Sequence, residues 1–225
     1  MSNCEQCIVR QFNSLKSLTR EELVRISNCK VSKTIKKGEL IFDEGENVNG
    51  IYCIKEGVCK LTKLSANGKD QIVKLVVKGD LVGQRSLVSE EVTNLSATAL
   101  SEMEVCFIPK HEIMTDLHEN SNFSMDVLQH MAKDLREADN VIVNMAQKSV
   151  RQRLAEALIY VHSAFGTNED GMLTIVLSRE DYANIVGTAT ESVIRILSQF
   201  KKDSFISTKG KQIKIEDLGA LRRVE

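Results

Sequence analysis

The sequence predicts an α+β protein: an N-terminal β-roll or jelly-roll domain, a long dimerisation helix, and a C-terminal winged helix-turn-helix. Three observations carry this reading. Short apolar runs punctuated by glycine fill residues 31–109. A narrow apolar stripe at heptad-like spacing follows the single proline, Pro109. Two short amphipathic helices then flank Gly187 and are followed by a hairpin with lysines at its tip. The expected division is 1–30 for an N-terminal segment and helix, 31–109 for the β-roll, 110–147 for the dimerisation helix region, and 148–225 for the DNA-binding domain.

The first segment carries Leu23 and Ile26 on a short helix, and Thr19 with Glu22 three residues on makes a capping-box signal. The β-roll strands are read from Glu39–Phe42, Gly50–Ile54, Val58–Leu61, Gln71–Leu75 and Val105–Ile108. Between them stand turn sequences such as Asp43-Glu44-Gly45 and Lys78-Gly79-Asp80. Asn67-Gly68 is the strongest hairpin signal.

In the helical region, Leu128, Met131, Leu135, Ala138, Ile142 and Met145 recur at alternating spacings of three and four. Charged neighbours keep the stripe narrow, which favours a partner helix in a parallel homodimer over a broad core face. A helix from Val150 to about Phe165 follows, and Leu173–Leu177 reads as a short strand.

Composition sets the limits. Of 225 residues, 42% are hydrophobic and 27% charged, as in ordinary soluble proteins. No apolar run is long enough to span a bilayer, and polar residues follow Met1, so a cytoplasmic protein with no membrane partner is expected. Six cysteines without an export signal point to thiols or metal ligands rather than a disulfide framework. The formal net charge is -1, with 12 Lys/Arg against 10 Asp/Glu from Lys148 onward and 18 against 21 before it. Any grip on nucleic acid therefore has to be local.

Ser178 sits at an N-cap with Asp181 three residues on, and the first helix of the motif runs from Arg179 to about Val186. The second spans Glu191–Phe200, with Val193, Ile196, Leu197 and Phe200 on its apolar side. Such a second helix lodges in the major groove of double-stranded DNA. Glu191 and Arg195 are four apart and share a face; arginine can donate twice to guanine and glutamate can accept from cytosine. The same spacing also makes an ordinary surface salt bridge. Lys201, Lys202, Lys209 and Lys211 are placed to neutralise phosphates. Ser178, Arg179 and Thr188 are further candidate phosphate contacts.

The order of these parts resembles the Crp/Fnr family of bacterial transcription regulators over essentially the whole chain. The matching stretches are Lys37-Gly38-Glu39, Ile54-Lys55-Glu56-Gly57, Lys78–Gly83, Leu177–Glu180 and Val193–Leu197. The resemblance implies a homodimer on a palindromic operator, recruitment of RNA polymerase, and base reading by Glu191 and Arg195, with Thr190 tuning specificity. It places the effector pocket at Gly83, Gln84, Arg85, Leu95 and Ser96. Cyclic-AMP-binding members carry a glutamate after the glycine and an Arg-Ser pair; here Gln84 and Leu95-Ser96 stand there, so cyclic AMP is not expected.

Oxygen-sensing members hold a [4Fe–4S] cluster with three N-terminal cysteines and one matching Cys106. Cys4, Cys7 and Cys106 are present, but the third N-terminal position is Asn13, leaving Cys29 or an oxygen ligand to complete the set. Reversible thiol oxidation is the alternative signal, and a ligand-free regulator another. Cys106 as a small buried hydrophobe with Cys4 and Cys7 as a free dithiol is the plain structural reading. Cys53 and Cys59 fall in strands and are expected in the core. A jelly-roll enzyme is the reading from another class. His111, His118, His130 and His162 all lie outside the strands, with no nucleophile or metal constellation, so no enzyme is expected.

Overall fold

The computed structural model describes residues 4–225. The chain divides into two compact units, the first ending at Glu137 and the second beginning at Ala138. Three short 3-10 turns, Cys4–Gln6, Ile8–Phe12 and Ser14–Ser17, lead into α1 (Arg20–Cys29). The capping box forms as expected. The Thr19 hydroxyl accepts from the Glu22 N–H, and the Glu22 carboxylate accepts from the Thr19 N–H at 2.7 Å.

Eight strands follow: β1 (Val31–Ile35), β2 (Leu40–Phe42), β3 (Gly50–Glu56), β4 (Cys59–Leu64), β5 (Asp70–Val76), β6 (Leu81–Val82), β7 (Ser96–Ala99) and β8 (Met103–Pro109), with a short α2 (Gln84–Ser89) between β6 and β7. They form two antiparallel four-stranded sheets, ordered β1-β8-β3-β6 and β2-β7-β4-β5. The Asn67-Gly68 turn joins β4 to β5.

Because side chains alternate across a strand, β3, β6 and β8 of the first sheet feed two cores. Ile54, Met103 and Val105 join Phe42, Cys59, Val76, Val82, Ala97 and Ala99 in one cluster. Ile51, Cys53, Cys106 and Ile108, on the opposite face, pack with the N-terminal turns, Leu23 and Ile26 of α1, and the next two helices, α3 (Lys110–Glu119) and α4 (Ser121–Gln147).

The region 110–147 is two helices, not one. Asn120 takes an extended conformation between α3 and α4, and its side-chain oxygen accepts from the Phe123 N–H at 3.0 Å. Its amide donates to the Ser17 carbonyl and the Glu22 carboxylate, so the break is fixed by distant partners. At 27 residues α4 is about 40 Å long. Phe123 and Val127 are buried and Met131 is packed on the same core, while Leu128, Leu135 and Ile142 stand 57%, 65% and 66% exposed. Ala138 is exposed and Met145 half-buried. The unit boundary thus falls inside α4, before the expected limit at 147.

The second unit holds α5 (Val150–Phe165), α6 (Arg179–Val186), α7 (Thr190–Lys202), the hairpin β9 (Ile206–Lys209) and β10 (Gln212–Ile215), and a short α8 (Leu218–Arg222). Leu154, Leu158, Val161, Tyr182, Val193, Phe200, Ile206 and Ile213 are all nearly fully buried. One expectation is corrected: Leu173–Leu177 is not a strand. Leu173, Ile175 and Leu177 are buried, but the segment makes only isolated bridges, Thr167 with Leu173 and Met172 with Lys214. The alternation reports burial, and the two-stranded wing offers no further strand partner along it. Among the described residues, no helix is long and apolar enough to cross a membrane.

Candidate functional site

The reading element is assembled from α6 and α7. Ser178 accepts from the Asp181 N–H at 2.9 Å, while the Asp181 carboxylate accepts from the Ser178 N–H and hydroxyl at 2.9 and 2.7 Å. That reciprocal cap engages the Ser178 hydroxyl, which was expected on a phosphate. Gly187 closes α6 in the left-handed region (φ 66°), a conformation costly for residues with a Cβ. The Thr188 N–H then returns to the Ala183 carbonyl at 3.1 Å. Arg153 of α5 secures the turn: its guanidinium donates to the carbonyls of Val186, Met145 and Lys148. Sequence reading missed this arginine, since nothing local signals three carbonyl partners.

α7 begins at Thr190 and extends to Lys202, two residues beyond the expected end, with both lysines helical. Val193, Leu197 and Phe200 face inward, and Ile196 is only half-buried. Glu191, Ile194, Arg195, Ser198, Gln199 and Lys202 together line a shallow open groove. These positions repeat at three and four residues, one continuous helical face. Among the described residues, neither Glu191 nor Arg195 forms an ion pair, so the alternative salt bridge between them is absent. Ile194, 52% exposed, and Ser198 and Gln199 were missed, although their spacing from Glu191 and Arg195 placed them on this face.

Lys201, Lys202, Lys209 and Lys211 are all exposed, the last two around Gly210 at the wing tip. Arg179 reaches the wing itself. Its guanidinium donates to the carbonyls of Gly210 and Lys211 at 3.2 and 3.4 Å, tying the wing to α6. Below the face, Arg151 stacks over the Phe200 ring at 4.7 Å and pairs with Asp203 at 3.3 Å.

The effector-pocket positions are engaged elsewhere in the first unit. Gly83 precedes α2 at φ 91°, where a Cβ would stand 2.9 Å from the Gly50 carbonyl oxygen, and Gln84 opens that helix. Arg85 and Lys74 both pair with Asp134, at 3.5 and 2.8 Å. Leu95 is buried. The Ser96 hydroxyl donates to the Asp43 carboxylate and accepts from the Glu44 N–H. A carboxylate at Ser96 opposes an anionic ligand there.

The cysteines separate into different surroundings. Cys59 lies in the core between the sheets, where burial pushes its thiol up to about 12. Cys29 ends α1 with its thiol donating to the Ile26 carbonyl at 3.4 Å; burial, then the Glu112 carboxylate, pushes it up to about 11. Cys53 and Cys106 are register partners on β3 and β8 and face the same core as Cys4 and Cys7. Burial, then the neighbouring thiols of Cys106 and Cys7, pushes Cys53 up to about 12. Cys4 is fixed by its N–H donating to the Ser27 hydroxyl at 2.7 Å. The expectation that Cys53 is simply core is therefore incomplete: it is buried, but among three other thiols. Four thiols in one layer match the donor chemistry of an iron–sulfur cluster. Among the described residues, no three His, Cys, Asp or Glu side chains stand around a single metal-ion position.

Comparison with known proteins agrees with both units. Residues 32–120 match the family described as the cyclic nucleotide-binding domain, and residues 152–224 the Crp-like helix-turn-helix domain. The chain is 28% identical to the anaerobic regulatory protein of Haemophilus influenzae, over 97% of this chain and 86% of that protein. It is also 28% identical to the fumarate and nitrate reduction regulatory protein of Escherichia coli K12, over 99% and 90%. Among solved structures, a Crp/Fnr-family regulator from Eubacterium rectale superposes with a TM-score of 0.78 at 19% identity, covering 92% of this chain and 96% of that one. FixK2 from Bradyrhizobium japonicum gives 0.77 at 23% identity, covering 87% and 97%. At these identities the structures speak for the fold alone.

Proposed function

The chain belongs to the Crp/Fnr family of transcription regulators, and from that premise we propose that it acts as a homodimer reading a palindromic site on double-stranded DNA. One observation carries the reading: α7 presents Glu191 and Arg195 on an exposed face without ion partners, above a firmly packed helix pair. An unpaired guanidinium and carboxylate can exchange water for base edges without first breaking a protein salt bridge. Thr190 at the start of α7 and Ile194 beside Arg195 tune the choice of base. Lys201, Lys202, Lys209 and Lys211 hold phosphate and set register. Arg179 and Ser178 act indirectly, by fixing the wing and the start of α6.

The partner chain covers the exposed stripe of α4. Leu128, Leu135 and Ile142 leave more apolar surface in water than a lone helix gains from exposing, and a second copy supplies the same stripe in return. The remaining partner is RNA polymerase, the protein performs no catalysis, and its place is the cytoplasm. The Leu135→Lys variant tests the assembly. It is expected to become monomeric at micromolar concentration in sedimentation analysis and to lose operator binding together; a variant that stays dimeric refutes the seam.

The signal is redox or oxygen chemistry at the thiol layer rather than cyclic AMP. Supporting this are the four thiols in one apolar layer and the engagement of Ser96 by Asp43 and of Arg85 by Asp134. An iron–sulfur cluster held there would supply an oxygen-labile group, and Cys4, Cys7 and Cys106 would be among its ligands.

A further inference from the structure

We infer that Cys53, rather than Cys29, completes a four-thiolate iron–sulfur site with Cys4, Cys7 and Cys106. The inference rests on the redox-sensing reading and assigns its fourth ligand. The register of β3 and β8 makes Cys53 and Cys106 direct Cα partners. Partners in an antiparallel pair point to the same face, about 4.5–5.5 Å apart at Cα. The 3-10 turns carry Cys4 and Cys7 onto that face, into one cluster with both.

Asn13 marks the same point from the N-terminal side. Its amide donates to the Gly79 carbonyl at 2.8 Å and reaches the Cys53 sulfur at 3.6 Å. Side chain 13 therefore ends at Cys53, so a ligand missing from position 13 is replaced by one arriving on β3 from across the same space. The amide N–H is also a donor that steadies a metal-bound thiolate. Gly79 allows this close approach: a Cβ there would stand 2.6 Å from Phe12 Cβ and push the N-terminal turns off the sheet.

The other cysteines fit worse. Cys59 points into the opposite core, through the sheet from Cys4 and Cys7. Cys29 ends α1 outside the cluster that holds the other four residues of the site, with its thiol donating to the Ile26 carbonyl at 3.4 Å. The lack of a single-ion cage is consistent with the assignment. Thiolates on one ion sit about 2.3 Å from it and crowd together. A cluster offers each thiolate its own iron and holds the sulfurs further apart. On loading, each of the four thiols releases its proton as its sulfur binds iron; two ferrous ions, two ferric ions and four sulfides come from outside, so the core forms with no net oxidation or reduction.

The test is anaerobic reconstitution of the full-length chain with equal ferrous and ferric iron and with sulfide, read as bound iron, acid-labile sulfide and visible absorption. The parent is expected to take up about four irons per chain with a broad cluster band. Cys53→Ala is expected to lose the band and most of the iron, while Cys29→Ala keeps both. Far-ultraviolet circular dichroism checks that each variant folds. Asn13→Cys combined with Cys53→Ala is expected to recover loading, which a merely structural role for Cys53 would not produce. Full loading of Cys53→Ala overturns the assignment but leaves the sensing reading intact. Loss of loading in Cys29→Ala alone transfers the role to Cys29. A parent that binds no iron overturns the cluster itself.

Discussion

The two units handle their reactive side chains in opposite ways. On α7, Glu191 and Arg195 stand in solvent without ion partners, and everything beneath them is apolar packing. In the first unit, the thiols of Cys4, Cys53 and Cys106 are buried at 8%, 5% and 5% exposure. The difference teaches what each task needs. A DNA reader meets a large charged partner and must show its donors beforehand. A buried thiol layer, by contrast, keeps its sulfur away from bulk oxidants through low exposure.

The largest expected effect lies under the reading face. Phe200 is fully buried and supports Arg151, so Phe200→Ala should cost about 3–5 kcal/mol of the second unit's stability by urea unfolding. A loss below 1 kcal/mol, on the order of a surface substitution, would mean that the face is not held by its core.

Arg195→Ala comes next and touches no packing. It should weaken specific DNA binding by about 1–3 kcal/mol and relax one base position, with stability unchanged. Equal discrimination among operator variants would remove Arg195 from base reading.

On the buried side, Cys59 tests whether thiol burial is felt as stability. Burial pushes its thiol up to about 12 in the folded state, above the ordinary range of a cysteine. The folded state therefore holds this proton more tightly than the unfolded chain. Its contribution is complete below about pH 9 and is lost as pH rises towards 12, by at most about 1.4 kcal/mol per pH unit. Cys59→Ala should flatten that alkaline decline; an unchanged pH profile in urea unfolding would contradict it. The smallest effect is at the wing: Lys209→Ala should lower the salt slope of DNA binding by about 0.9 per half-site, about 1.8 for the dimer, equally for all sequences. A sequence-dependent loss would make Lys209 a base reader.

Much of the second unit was legible because its signals are local. Ser178 with Asp181 announces a helix start, Gly187 its end, and Thr208–Lys211 a hairpin, and each is satisfied within a few residues. Five strands of the first unit, β2 to β5 and β8, were legible from their own apolar runs, whereas β1, β6 and β7 were not read. What the sequence did not reveal involved partners far along the chain. The break at Asn120 depends on Ser17 and Glu22, the Arg179 tie on the wing carbonyls, and the bridged rather than stranded Leu173 on Ile213.

By itself, then, the sequence determined the order of elements, the reading helix and the exposed α4 stripe, because periodicity and capping act over one or two turns of backbone. Only the tertiary structure decided which thiols share a space. Cys53 and Cys106 are 53 residues apart and are joined by strand register, and Cys4 and Cys7 reach them only because the N-terminal turns fold over that face. Register is a property of two strands together, and no single stretch of chain carries it.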